Sequence, residues 1–169
     1  MKRNLVNSVL VLSLCLFLSG SAFAQEEEVI DPAKDKTITE IGTLVNAQKY
    51  QIALNKCNTA ITKYPNEAFL YYWRGSIYYA QGNKQLAAED LNKSIELDNK
   101  NPKAYVLRGN CKADLEDKDG ALVDYNKAIE LDPKDSSAYS MRACIKLELG
   151  DFDGANEDLD MSNKLMNSK

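Results

Sequence analysis

Two neighbouring segments in the middle of the chain carry side chains at the spacing of one α-helix face. The first segment is marked by Tyr105, Arg108, Gly109 and Lys112 at i, i+3, i+4 and i+7. The second segment shows the same pattern, with its residues at Ala121, Tyr125, Ala128 and Ile129. Polar turn and capping residues, Glu116 and Asp117, stand between the two segments, and Pro133 follows the second. Elsewhere in the chain we predict the same roles for Gly82 and Gly150, as left-handed turn residues, and for Asn83 and Asp151, as helix N-caps. The pattern therefore predicts two antiparallel helices joined by a tight turn.

The same helix pair recurs along the chain with a period of 34 residues. The positions that share this period are Tyr71, Tyr105 and Tyr139; Gly75, Gly109 and Ala143; Ala87, Ala121 and Ala155; Leu97, Leu131 and Leu165. Carried backwards through a weaker copy, the period divides the chain into the segments 34–67, 68–101, 102–135 and 136–169. A single helix pair cannot bury its apolar face, so we expect the four copies to stack on one another.

The residue types within each copy resemble those of the tetratricopeptide repeat. The third copy fits best, through Tyr105, Gly109, Ala121, Tyr125, Ala128 and Pro133. The first copy departs most, with Thr37, Ile41 and Cys57 at positions where the repeat has other residues. The resemblance implies an all-α fold, a right-handed superhelical solenoid of antiparallel helix pairs. It implies a non-catalytic adaptor or scaffold that binds other proteins.

In this family the first helices of the repeats line a concave groove. By resemblance, the groove residues are Phe69, Tyr72, Ser76, Tyr79, Lys103, Val106, Asn110, Ala113, Ser137, Ser140, Cys144 and Leu147, with Trp73 adjacent. The aromatic cluster predicts a surface for an extended peptide or a partner helix, unless the first copy covers part of it. Some relatives grip a C-terminal carboxylate at positions that read Ile38, Gly42, Trp73, Lys103 and Leu107 here. Because Lys103 alone matches, that mode of binding is not supported.

Opposite charges recur in the copies sixteen residues apart. The pairs are Arg74 and Asp90, Arg108 and Asp124, Arg142 and Asp158, and, with the signs inverted, Glu40 and Lys56. The alternative is an array of arginines that binds an anionic ligand. The inverted pair favours structural ion pairs across each hairpin, since a ligand site would keep one sign of charge.

The first 24 residues have the three regions of a secretory signal peptide. Lys2 and Arg3 precede an apolar stretch, and Ala22-Phe23-Ala24 forms a cleavage site. The alternative is an uncleaved anchor, but the stretch is shorter than the roughly 20 apolar residues that span a membrane. We therefore expect an exported protein, periplasmic or secreted and of bacterial origin, cleaved after Ala24. Residues 25–33 form an acidic, disordered lead-in by this interpretation.

The composition excludes further classes of function. The chain has no histidine and a net charge of −4, which removes imidazole-based catalysis and argues against a nucleic-acid partner. We expect no enzyme activity, no cofactor and no metal site. After cleavage three cysteines remain, Cys57, Cys111 and Cys144, so at least one thiol is unpaired or bonds to another chain.

The expected partner is a protein or peptide, and the expected state is a monomer without a membrane span. The alternative function is a structural or self-assembling subunit of an envelope complex. Asn156 and Asn163 replace residues that are apolar in the first three copies. Polar residues there suit a terminal repeat, so we expect the fourth copy to close the array.

Overall fold

The computed structural model of the protein describes residues 31–168. The predicted signal peptide and the segment 25–30 lie outside these residues. The described part contains eight α-helices, α1 Pro32–Asn46, α2 Tyr50–Lys63, α3 Ala68–Ala80, α4 Lys84–Leu97, α5 Pro102–Asp114, α6 Lys118–Leu131, α7 Ser136–Glu148 and α8 Phe152–Asn167. Each odd-numbered helix packs on the next even-numbered one, and successive pairs stack. The predicted all-α solenoid of helix pairs is confirmed.

Helix α1 is fully formed, and it begins two residues before the predicted start of the first repeat. Pro32 stands in the first turn, and the Asp31 carboxylate accepts a hydrogen bond from the Ala33 N–H at 2.9 Å. Proline and an aspartate cap favour helix initiation. The assignment of residues 31–33 to a disordered lead-in was therefore wrong.

Small residues allow the two helices of a pair to approach closely. A Cβ at Gly75 would lie 3.1 Å from the Leu91 Cγ, and one at Gly109 would lie 2.6 Å from the Tyr125 Cε1. The ring of Tyr125 fills the space beside Gly109 and packs against Ile145 of the next pair. The core thus continues from the third hairpin into the fourth.

The turn inside each hairpin has one residue with positive φ. Gly82 and Gly150 have φ of 81° and 82°, as predicted, whereas Gln48 and Glu116 occupy the same repeat position with φ of 57° and 65°. Glycine adopts this conformation without the steric cost that other residues meet. Two of the four turns are therefore strained.

A polar residue stands directly before the helix that follows each turn. The Asp117 side chain accepts from the Gly120 N–H and the Asp151 side chain from the Gly154 N–H, both at 3.0 Å. Asn83 was predicted to cap α4 in the same way, but its side chain makes no capping hydrogen bond. A Cβ at Gly120 would lie 2.1 Å from the Asp117 carboxylate, so this capping geometry leaves no room for a side chain at that position. Helix α4 has a leucine, Leu86, at the corresponding position.

Candidate functional site

The four charge pairs form across the hairpins as the spacing predicts. The Arg108 Nε and Nη2 donate to the two carboxylate oxygens of Asp124 at 2.9 Å and 2.6 Å. Arg74 binds Asp90 and Arg142 binds Asp158 in the same two-point manner. Asp124 is only 1% exposed. These arginines thus neutralise carboxylates that the hairpins bury.

Each arginine also reaches the preceding hairpin. Its Nη1 donates to an asparagine Oδ1, in the pairs Arg74–Asn58 at 3.0 Å, Arg108–Asn92 at 2.9 Å and Arg142–Asn126 at 2.7 Å. Its guanidinium carbon lies 5.5–5.7 Å from the ring centroid of Tyr71, Tyr105 or Tyr139. The guanidinium groups are engaged within the protein, which leaves little support for an anion-binding array. The asparagines were not predicted, although they too recur every 34 residues.

The inverted pair at the first hairpin differs from the other three in its environment. Lys56 donates to Glu40, and this hydrogen bond lowers the pKa of the Glu40 carboxyl. Both side chains are considerably more exposed than those of the arginine pairs. No hairpin precedes α1 among the described residues, so this pair closes its own hairpin without bridging to another.

The predicted groove residues of the second to fourth repeats meet around two adjoining hollows. The first, of about 340 Å³, is lined by Tyr72, Ser76, Lys103, Val106, Leu107, Asn110, Asp135 and Ser137. The second, of about 210 Å³, is lined by Tyr79, Asn110, Ala113, Asp114, Tyr125, Met141, Cys144 and Ile145. Asn110 belongs to both hollows. We refer to these two hollows together as the groove.

The orientation of Asn110 is fixed by a residue of the opposite helix. The Tyr125 hydroxyl donates to the Asn110 Oδ1 at 2.8 Å, and burial raises the pKa of that hydroxyl, which keeps it protonated. Because the amide oxygen is occupied, the amide nitrogen of Asn110 stands at the boundary of the two hollows as a hydrogen-bond donor. Tyr125 was predicted as a packing residue, and its second role was not foreseen.

Four predicted groove residues are placed elsewhere. The Trp73 ring lies on α1, where a Cβ at Gly42 would be 2.9 Å from its Cζ2, so the first repeat covers part of the aromatic cluster. The Ser140 hydroxyl is bonded to that of Ser162 at 2.7 Å inside the last hairpin. Phe69 is 43% exposed and Leu147 41% exposed, yet neither lines the hollows.

The cysteines fall into two environments. Cys57 and Cys111 are buried and unpaired, and burial raises the pKa of their thiols to about 12 and about 11. Cys144 is exposed and unpaired, and it lines the second hollow of the groove. A thiol with a pKa as high as those of Cys57 and Cys111 is almost entirely protonated, and therefore unreactive, at neutral pH. Cys144 is therefore the reactive thiol of the described chain.

Comparison with known proteins agrees with this architecture. Three tetratricopeptide-repeat family models match the chain, over residues 68–101, 102–135 and 124–155. The chain belongs to the tetratricopeptide-repeat family. Its helical repeats form the kind of scaffold on which proteins interact, and proteins of this fold are in general non-catalytic interaction modules.

Individual relatives are distant. A probable biofilm formation methyltransferase, WspC of Pseudomonas putida, is 28% identical over 83 residues, which are 49% of this chain and 20% of that protein. The chain thus spans about one fifth of the length of this curated relative.

Among solved structures, residues 41 to the end of MamA from Desulfovibrio magneticus RS-1 superpose with a TM-score of 0.71 at 20% identity, covering 80% of this chain and 77% of that chain. The first repeat domain of Spaghetti (RPAP3), bound to the HSP90 peptide SRMEEVD, gives 0.66 at 24% identity, with coverages of 72% and 97%. At such identities the likeness shows the fold alone.

Two classes of site have no residues to support them between residues 31 and 168. Within this range no three His, Cys, Asp or Glu side chains are grouped closely enough to hold a metal ion. None of the helices described is both long enough and apolar enough to cross a bilayer.

Proposed function

We propose that this protein is an exported adaptor whose groove binds an extended segment or a helix of a partner protein. The observation that carries the proposal is the pair of adjoining hollows, which follow one another along the first helices of the second to fourth repeats. Their combined form suits an elongated ligand better than a compact one. The site is preformed, so binding requires little reordering of the adaptor itself.

The side chains of the groove supply both anchoring and orientation. Tyr72 and Tyr79 offer half-buried aromatic surface, which is a common anchor in protein interfaces. The amide nitrogen of Asn110 can donate to a main-chain carbonyl of the ligand at the centre of the groove. Lys103, exposed at one hollow, favours an acidic residue in that part of the ligand.

The groove does not reproduce a carboxylate grip of the kind the sequence analysis considered. Of the five positions compared there, Trp73 packs on α1 and Leu107 lines the first hollow with an apolar side chain. A single cation, Lys103, stands at these positions. The proposed ligand is thus an internal segment of the partner and not a free C-terminus.

The proposal places the mature protein outside the cytoplasm. Its support is the order of charged, apolar and small residues in the first 24 positions. Mass spectrometry of protein recovered from the periplasm and the medium tests this directly. An amino terminus at Gln25 is expected, whereas a cytoplasmic protein that retains Met1 or Lys2 contradicts export.

A self-assembling subunit is the second candidate, and one observation favours it. Leu159 is 37% exposed, whereas Cys57, Leu91 and Tyr125 at the same repeat position are buried beneath the following hairpin. Charge opposes the stacking of a second copy on α8 in the repeat register. Between successive hairpins an arginine donates to an asparagine. At the contact between two copies the corresponding residues would be Glu40 and Asp160, which repel each other. Light scattering across concentration separates the candidates, because an adaptor remains a monomer when alone.

The groove is tested by crosslinking capture from the exported protein fraction. The mature chain is compared with a variant that carries Tyr72→Ala and Tyr79→Ala. The matched control carries Ile52→Ala and Val123→Ala, which also remove two exposed apolar side chains but lie outside the groove. We expect the groove variant to lose a partner that the control retains.

The exposed thiol provides an independent measurement on the same complex. A partner seated in the groove should slow the alkylation of Cys144 by N-ethylmaleimide at least several-fold. Equal capture by the groove variant and the control, together with unchanged alkylation of Cys144, would refute the groove as the binding site.

A further inference from the structure

A third hollow lies away from the groove, between the two helices of the first hairpin. It has a volume of about 270 Å³ and is lined by Ala33, Thr37, Lys56, Thr59, Ala60, Lys63 and Tyr64. No residue of the groove lines it. Helices α1 and α2 pack less closely than the two helices of any other hairpin, which leaves this space open.

The repeat period shows what fills the corresponding space elsewhere in the molecule. Thr37 stands where the second, third and fourth repeats carry Tyr71, Tyr105 and Tyr139. In the third repeat, Tyr105 and Ala128 belong to one buried cluster, and Leu131 packs against that cluster. Ala60 and Lys63 hold those two positions in the first repeat, and both line the hollow. The first hairpin therefore has the walls of a tyrosine site without the tyrosine.

One feature leaves the hollow unfilled by its own helix. The Thr37 hydroxyl donates to the Ala33 carbonyl at 2.7 Å, so this side chain turns back onto α1. Helix α1 also packs against α3, where Gly42 lets the Trp73 ring approach closely.

The lining of the hollow suits a phenolic ring. In the other repeats an arginine lies over the tyrosine ring. Here that position is Glu40, which is paired with Lys56. The other cation that lines the hollow is Lys63, whose Nζ lies 4.7 Å from the centroid of the Tyr64 ring. Tyr64 forms an aromatic wall, held in place because its hydroxyl donates to Asp31 at 2.8 Å. A cavity of about 150 Å³ is enough to bind benzene in another protein.

We propose that this hollow between α1 and α2 binds a phenolic ring, namely the tyrosine side chain of a partner protein. The ring occupies the place that the tyrosine of the other repeats occupies, between the two helices and beside the lysine side chains. The site is separate from the groove. A partner that also lies in the groove would thereby gain a second anchor.

The test uses N-acetyl-tyrosine amide as the probe and the mature chain labelled with ¹⁵N. We expect saturable chemical-shift changes at Thr37, Thr59 and Tyr64 but not at Asn110 in the groove. Thr37→Tyr should fill the hollow, raise the melting temperature and weaken binding of the probe at least tenfold. Thr37→Ser is the matched control, and it should bind the probe as the wild type does.

Each contrary outcome overturns the proposal. Shift changes that do not saturate, or that N-acetyl-leucine amide reproduces at equal concentration, show that the hollow does not select a phenolic ring. A lower melting temperature in Thr37→Tyr shows that the hollow does not accept one. Unchanged probe binding in that variant places the probe elsewhere. None of these outcomes bears on the groove, which has its own test.

Discussion

The ion pair of the second hairpin offers a direct test of how the repeats are held together. Arg74 binds both oxygens of Asp90 at 2.7 Å, and both side chains are largely buried. Arg74→Glu would place two carboxylates face to face in this site. Breaking a buried pair costs about 3–5 kcal/mol. In a domain of this size that corresponds to a fall in melting temperature of about 10–15 °C.

The first hairpin supplies the design for a rescue, because its pair already has the opposite polarity in Glu40 and Lys56. Adding Asp90→Lys to Arg74→Glu should therefore restore most of the lost stability. The rescue remains incomplete because the hydrogen bond from Arg74 to Asn58 is also lost, at a cost of about 1 kcal/mol.

The third hairpin provides the comparison. There Asp124 also binds the Lys112 ammonium at 2.9 Å, whereas the second hairpin has Tyr78 at the position of Lys112. In the double variant Arg108→Glu with Asp124→Lys, the new lysine would lie against Lys112. The recovery should therefore be clearly smaller than in the second hairpin.

Urea and thermal unfolding followed by circular dichroism measure both double variants beside the single variants Arg74→Glu and Arg108→Glu. If Arg74→Glu with Asp90→Lys is no more stable than Arg74→Glu alone, the pairs do not act as local ion pairs. Equal recovery in the two hairpins would show that the charges act through the net charge of the molecule and not through the contacts described.

Two further predictions concern the turns and the response to pH. Glu116→Gly should stabilise the protein by about 1 kcal/mol in urea unfolding, because the native φ of 65° is strained for glutamate. The control Gly82→Ala should destabilise the protein. A less stable Glu116→Gly together with a more stable Gly82→Ala would contradict the strain. Burial alone would raise the pKa of Asp158, but hydrogen bonds from Arg142 and Lys146 outweigh it and lower that pKa. The pair should therefore stabilise the fold above the ordinary aspartate pKa of about 4 and progressively less as the pH falls below it. Asp158→Asn should show a shallower loss of stability on acidification, measured as melting temperature from pH 6 to pH 3; an unchanged slope would count against this coupling.

Spacing was sufficient to predict which residues share a helix face and which helices form pairs. Arg108 and Asp124 are sixteen residues apart. In two antiparallel helices joined by a tight turn, this separation places the two residues opposite each other along the hairpin. Gly82 and Gly150 could be assigned to turns because few residues other than glycine readily adopt a positive φ. These inferences depend on local geometry, which short stretches of sequence largely determine.

Contacts between hairpins were harder to predict. The Asn92 to Arg108 bond was missed although asparagine recurs with the repeat period, because periodicity marks a position without showing its partner. Trp73 was assigned to the groove, yet the absence of a side chain at Gly42 allows it to pack on α1. Ser140 was assigned there too, but the buried hydroxyl of Ser162 needs partners and finds one in Ser140.

The amino-acid sequence by itself determined the repeat, its helices, its turns and the pairing of opposite charges within each hairpin, since all of these follow from the helical period and from residue preferences. The tertiary structure decided how far neighbouring helices stand apart, and with that the groove, the orientation of Asn110 and the hollow beside Thr37. Those distances depend on how side chains of different hairpins fit together, so a change at one position, such as Gly42, alters the space available at another.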